Sequence, residues 1–191
     1  MTSTLRKSYR ILVSGYFGYN NIGDEAILKG LIDGIRAKSS DVDIVVLSKN
    51  PDWTRAKYNV IAVDRSNVFD IITAVKKCDM LVSGGGSLLQ DVTSKKSILY
   101  YLFILKLAMI FKKKTFIYSQ GIGPISLKLN KTLTRRILNK VSFINVRDNQ
   151  SARVLKELGV DREILVTTDT VFGINKPSKD EGKEILKDLG V

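Results

Sequence analysis

The chain of 191 residues contains no histidine, one cysteine, three prolines and one tryptophan, and its 19 acidic residues are outnumbered by 31 Lys and Arg. Each shortage excludes a class of protein. Without histidine there is no Ser-His-Asp or Cys-His catalysis, no HExxH zinc site and no imidazole general acid, so proton transfer falls to Asp, Glu, Lys, Arg and Tyr. Cys78 alone cannot close an intramolecular disulfide, which excludes a disulfide-built secreted scaffold and fits a reducing compartment. The acid deficit leaves a net charge of +12 and favours anionic partners: nucleic acid, an acidic membrane face or phosphorylated substrates. Nucleic acid is the poorest of these, because the aromatic residues do not interleave with the basic ones as a stacking platform needs.

What is present is enough for a packed core: 44% hydrophobic residues within the size of one domain. The opening "MTSTLRKSYR" is basic but leads into too short an apolar stretch for a signal peptide, so export is not indicated. Short apolar, β-branched runs recur at 11–14, 42–47, 60–63, 80–83, 115–119, 143–146 and 164–167. Amphipathic stretches such as "DEAILKGLIDGIRAK", "VFDIITAVKKC", "KLNKTLTRRILNKV" and "NQSARVLKELG" lie between most of them. Strand alternating with helix, with strands apolar nearly throughout, predicts an α/β fold: a doubly wound, mainly parallel, Rossmann-like sheet covered on both faces. This domain is expected over 1–174. Residues 175–191 read as a Pro-containing linker and a last helix ending on Gly190, leading to a second domain that this chain lacks.

Residues 98–111, "ILYYLFILKLAMIF", are apolar on every side except at Lys106, with lysines before and after. At about 1.5 Å per residue such a helix is too short to cross a ~30 Å hydrocarbon core. Two readings remain open: a helix buried against the sheet, or an interfacial helix whose lysine flanks, within 95–114, meet anionic lipid.

Ligands of open parallel sheets bind beyond the carboxyl ends of the strands. Three glycine-rich loops are expected there. The first holds Gly15, Tyr16, Gly18, Asn20, Asn21 and Gly23; its glycine spacing fits neither GxGxxG nor a P-loop, and Asp24 and Glu25 follow, where their charge repels phosphate. Carboxylates, amides and aromatic rings suit sugar hydroxyls and a sugar ring, although Asp24 can equally cap the helix and Tyr16 and Phe17 can belong to the core. The second loop, Gly84, Gly85, Gly86 and Ser87, offers uncovered backbone N–H groups as an anion nest, with Gln90 and Asp91 about one turn on. The third holds Gln120, Gly121 and Gly123, with Pro124 ending the turn. Arg147 pairs with a carboxylate or a phosphate, Asp148 is a helix cap or a ligand, and Asp169 is placed to hold neighbouring loops. Asp24, Glu25 and Asp91 are the candidate catalytic bases. No metal site or cofactor is indicated.

The stretches "GYFGYNNIGDEAIL", "SGGGSLLQDVTSKKSILYY", "SQGIGPI", "VRDNQSARVLKELGV" and "TTDTVF", in this order, resemble the bacterial polysaccharide pyruvyltransferase family, most closely the CsaB type. Thr168 departs from the small apolar residue that the likeness leads one to expect. The resemblance implies one half of an enzyme similar to GT-B glycosyltransferases. It implies transfer of a pyruvyl group from phosphoenolpyruvate, a co-substrate, to an N-acetylmannosamine residue of a lipid-linked secondary cell-wall polysaccharide precursor. The product is the 4,6-ketal that anchors S-layer proteins, made in the cytoplasm at the inner face of the membrane. The donor-binding arginine and a histidine belong, on this likeness, to the second half, so the 191 residues alone are expected to bind acceptor weakly without turnover. A homo-oligomer is compatible with these features. The alternatives are a nucleotide-sugar glycosyltransferase half and a non-catalytic carbohydrate- or membrane-binding module.

Overall fold

The computed structural model describes residues 8–174 and 179–188. Seven strands form one sheet: β1 (Tyr9–Phe17), β2 (Val42–Ser48), β3 (Ile61–Asp64), β4 (Met80–Gly84), β5 (Lys114–Gln120), β6 (Phe143–Val146) and β7 (Leu165–Val166). Their order is β3-β2-β1-β4-β5-β6-β7, and every neighbouring pair is parallel. The Rossmann-like reading therefore holds, strand for strand. The order reverses between β1 and β4, which makes their carboxyl ends the switch point where a crevice opens.

Helices α1 (Ile22–Lys38), α2 (Pro51–Tyr58), α3 (Val68–Lys77), α4 (Ser97–Ile110), α5 (Lys128–Leu138) and α6 (Asn149–Glu157) connect the strands. A short 3-10 turn over Thr170–Gly173 follows β7, and α7 covers Lys179–Asp188. Side-chain oxygens start four of them: Asn21, Asn50, Asn67 and Asp148 each accept backbone N–H bonds from the first turn. Asp24 is thus not the cap of α1. Helix α2 escaped the sequence reading because it has only eight residues and weak amphipathicity, although Asn50-Pro51 is a cap followed by a proline in the first turn. The expected linker and Gly190 lie outside the described residues.

The two sheet faces carry separate cores. Alternate side chains of β1 and β2, Ile11, Val13, Ile44 and Val46, pack beneath α1 and α2. The opposite set, with Leu12, Val45, Leu81, Ile117 and Ile144, packs beneath α3 to α6. Helix α4 belongs to that second core: Ile98, Tyr101, Leu102, Ile104, Leu105 and Ala108 are buried. The buried reading of 98–111 is the observed one. Only Phe103, Lys106 and Ile110 form an outward stripe, and no helix among the described residues is long and apolar enough to cross a membrane.

This placement makes a prediction. Leu105, fully buried, should lose about 2–5 kcal/mol of stability on Leu105→Ala, whereas Ile110→Ala on the outer stripe should cost less than about 1 kcal/mol. Urea unfolding of the two variants measures both.

Candidate functional site

All three glycine loops open on the carboxyl edge, and the second and third are tied to each other there. The Gly85 N–H donates to the Tyr118 carbonyl, the Gly121 N–H to the Gly86 carbonyl at 2.9 Å, and the Gly123 N–H to the Leu89 carbonyl. Two of the glycines are required by geometry: a Cβ on Gly18, whose φ is +79°, would sit 2.2 Å from Ser48 Oγ, and one on Gly85, whose φ is +64°, would sit 1.8 Å from Ile27 Cγ2.

The first loop divides its residues between structure and surface. Phe17 is core, while Tyr16 and Tyr19 stay partly exposed and stack on each other, centroids 4.0 Å apart and planes within 4°. Asn20 takes a left-handed conformation, and the Asn21 side chain accepts from the N–H groups of Gly23 and Asp24. Glu25 is buried: its carboxylate accepts from the Gly18 N–H at 2.8 Å and the Tyr58 hydroxyl at 2.7 Å. Burial and the Glu25 carboxylate push the Tyr58 phenol well above its ordinary pKa. That pair fixes the loop to α1 and α2.

Of the three carboxylates expected as bases, two are engaged in hydrogen bonds that hold the fold. Besides Glu25, Asp91 is buried and accepts from the N–H groups of Ser126 and Leu127 and from Asn130 Nδ2, pinning the start of α5. Burial pushes the Asp91 carboxyl up, but the Leu127 and Ser126 N–H groups and the Asn130 amide outweigh it and hold the pKa below the usual range. Gln90 is likewise occupied, its side-chain oxygen accepting from the N–H groups of Val92 and Thr93.

Asp24 is different. It is half-buried, its carboxylate accepts no hydrogen bond among the described residues, and it lies against the second loop, with Oδ1 3.1 Å from where a Cβ on Gly86 would be. Burial, then the neighbouring Glu25 and Asp169 carboxylates, raise its pKa above the ordinary value.

Arg147 joins the remaining loops. Its guanidinium donates to Asp169 Oδ2 at 3.0 Å and to Ser87 Oγ at 3.1 Å, and lies 3.6 Å from Asp148. Asp148 caps α6, and Asp169 also accepts from the Val171 N–H, the loop-holding role expected of it. Next to Arg147 a hollow of about 170 Å³ is lined by Ser87, Gly121, Gly123 and Gln150. A larger hollow of about 440 Å³ runs along edge strand β3 and touches none of the glycine loops.

Sequence reasoning missed a second arginine. Arg65, 7% exposed, sits just past β3 and donates to the Gly15 carbonyl at 2.9 Å and to the Tyr101 hydroxyl at 3.3 Å. Its guanidinium lies 4.6 Å from the Tyr100 ring and 5.2 Å from that of Tyr19, and it has no carboxylate partner among the described residues. It props the aromatic wall from behind. Being at a strand exit was the one available signal, since no glycine marks that loop. Gln120 is fully buried, and neither end of its amide finds a partner among the described residues. No cluster of three or more metal-ligating side chains occurs among the described residues.

The fold defines the class: a doubly wound, all-parallel α/β domain with aromatic, amide and carboxylate side chains gathered at its switch point. The family follows from comparison: the polysaccharide pyruvyl transferase family matches residues 21–190, and the chain belongs to it. The amylovoran biosynthesis protein AmsJ of Erwinia amylovora is 20% identical over 205 residues, covering 85% of this chain and 48% of that protein. The chain thus spans about half the length of this relative. Among solved structures, a ribokinase-like protein of Enterococcus faecalis aligns with 14% identity and a TM-score of 0.49, over 82% of this chain and 54% of that one. Saccharopine dehydrogenase of Saccharomyces cerevisiae aligns with 13% identity and a TM-score of 0.45, over 72% and 26%. Neither likeness carries an argument about this chain.

The Asp91 contacts have a pH signature. A carboxylate with a depressed folded pKa contributes stability above its unfolded pKa, and that contribution disappears as pH falls through the folded one. Asp91→Ala should cost about 2–3 kcal/mol near neutrality and progressively less as the wild type is acidified below about pH 4. Chemical denaturation across pH measures the difference.

Proposed function

We propose that this chain is the acceptor-binding half of a pyruvyltransferase that moves the pyruvyl group of phosphoenolpyruvate onto two hydroxyls of a sugar residue, and that Asp24 is its base. The observation that carries this reading is Asp24 itself. It is the half-buried carboxylate at the switch point with no protein partner among the described residues, and its raised pKa suits a group that must accept a proton.

The stacked pair Tyr16 and Tyr19 offers a flat, amphipathic wall against which a pyranose ring can lie, with its hydroxyls directed to Asp24. Protonation of the methylene carbon of phosphoenolpyruvate makes C2 electrophilic. One sugar hydroxyl adds to C2 while Asp24 takes its proton; the bond from C2 to the phosphate oxygen breaks; the second hydroxyl then closes the ketal, and inorganic phosphate leaves with the remaining proton. Cations are needed wherever the phosphate and carboxylate rest. Arg147, beside a 170 Å³ hollow and already oriented by Asp169 and Ser87, is suited to one of those anionic groups. The general acid is assigned to the part of the enzyme beyond this chain.

The acceptor we favour is an N-acetylmannosamine residue of a lipid-linked cell-wall polysaccharide precursor, pyruvylated as a 4,6-ketal for S-layer anchoring at the inner face of the membrane. Membership of the family and the polysaccharide-biosynthesis relative support the acceptor class; the sugar and the ketal position follow from the resemblance alone.

In the intact enzyme, Asp24→Asn should lower kcat roughly a hundred- to ten-thousand-fold. Because the base works only when ionised, wild-type kcat should fall as pH drops through its raised pKa, and the variant should lack that acid limb. Phosphate release from phosphoenolpyruvate in the presence of saccharide acceptor is the readout. Wild-type turnover with Asp24→Asn unchanged would remove Asp24 as base, and absence of phosphoenolpyruvate consumption would remove the reaction.

A further inference from the structure

The charge of this protein is not spread along its chain. Residues 92–146 contain eleven Lys and Arg and not one Asp or Glu, whereas the rest of the chain is nearly neutral. That run builds α4, β5, α5 and β6, and its two helices pack side by side on the same face of the sheet. None of the eleven cations is within ion-pair distance of a carboxylate among the described residues. All but Lys113 are exposed.

Apolar side chains stand among them. Phe103 and Ile110, 44% and 62% exposed, flank Lys106 on the outer stripe of α4, and Leu129 on α5 is 62% exposed. At the amino edge of the sheet, Lys106, Lys112, Lys113, Lys114 and Lys140 surround a shallow hollow of about 470 Å³ that also includes Ile110. At the other edge, Lys95, Lys96 and Lys128 lie by the starts of the same helices. The surface therefore runs the whole height of the domain.

We propose that the α4–α5 face is a docking surface for an anionic lipid bilayer. Uncompensated lysines attract the negative headgroups, and the few exposed apolar side chains enter the boundary between headgroups and acyl chains, a combination that binds in the plane of the membrane without crossing it. Nucleic acid fits less well. The cations are mainly lysines, which lack the bidentate fork of arginine, and Phe103 is the only exposed aromatic on the outer stripe of α4, so there is no base-stacking platform. Nothing in the argument depends on the reaction proposed above. The carboxyl-edge crevice stays open beside the docked face.

The test uses the intact protein and vesicles of phosphatidylcholine, alone or mixed with phosphatidylglycerol, in a sedimentation assay. Binding to the mixed vesicles alone is expected, with release when salt shortens the Debye length from about 10 Å to about 3 Å. Each cation near the surface is worth about fivefold. The triple variant Lys106→Glu, Lys113→Glu, Lys140→Glu, which removes three cations and adds three anions, should therefore lose at least about a hundredfold in partitioning. Its melting temperature and its phosphate release with a lipid-free acceptor should match the wild type. If the triple variant melts early, the milder pair Lys106→Gln and Lys140→Gln is expected to lose about twenty-five-fold by the same arithmetic. Equal binding to neutral vesicles, undiminished binding by the variants, or retention on polynucleotide with no affinity for anionic vesicles overturns the proposal. Vesicle binding needs no substrate, so it can fail while pyruvyl transfer stands, and the reverse.

Discussion

Glu25, a buried carboxylate in the first turn of α1, governs the geometry of the crevice. Its two oxygens hold the Gly18 N–H and the Tyr58 hydroxyl, so one charged side chain fixes the first loop, α1 and the end of α2 together. Removing such a group would leave a buried donor on each side unsatisfied. The loop that it fixes presents Tyr16 and Tyr19. The same charge acts on its neighbour in the chain, Asp24, whose pKa rises through burial first and through Glu25 next. A single structural carboxylate thus shapes the wall of the site and tunes the basicity of the residue beside it.

The other loops are positioned by a different means. Parallel strands all end on one edge, so glycine turns after β1, β4 and β5 meet there without any long excursion of the chain. The backbones of the second and third turns then bond directly to each other, at Gly85 with Tyr118 and at Gly121 with Gly86. Arg147 completes the joint from the end of β6, lying against Gly121 and reaching both Ser87 and Asp169. The clamp gives the guanidinium a fixed direction, which would lower the ordering cost of the anion contact proposed for it.

The fold was legible because apolar periodicity and turn residues report backbone constraints, and the parallel sheet needs both. All seven strands appear where β-branched runs stand, within a few residues at each end. Side-chain duties were harder to read. Asp24, Glu25 and Asp91 are alike in sequence, and only tertiary contacts separate them: Glu25 meets Tyr58 and Asp91 meets Asn130, both more than thirty positions away. Arg65 was invisible for the same reason, since its partners Gly15 and Tyr101 are brought to it by the sheet order and by α4. Asn21, in contrast, acts on residues only two and three positions ahead, yet the sequence reading put the possible cap three residues further on, at Asp24.

The segregation of charge bears on Asp24 as well. A basic field favours the ionised form of a carboxylate, yet the pKa of Asp24 is raised, so burial and its two carboxylate neighbours outweigh the eleven cations. Exposure explains this. Most of these cations are exposed, where water and salt screen them, whereas Glu25 and Asp169 act on a half-buried Asp24. A basic face can therefore remain available to an anionic surface without turning the neighbouring carboxylate into a weaker base. The two functions proposed for the domain place opposite electrostatic demands on one small molecule, and the sheet between α1 and α4 keeps them apart.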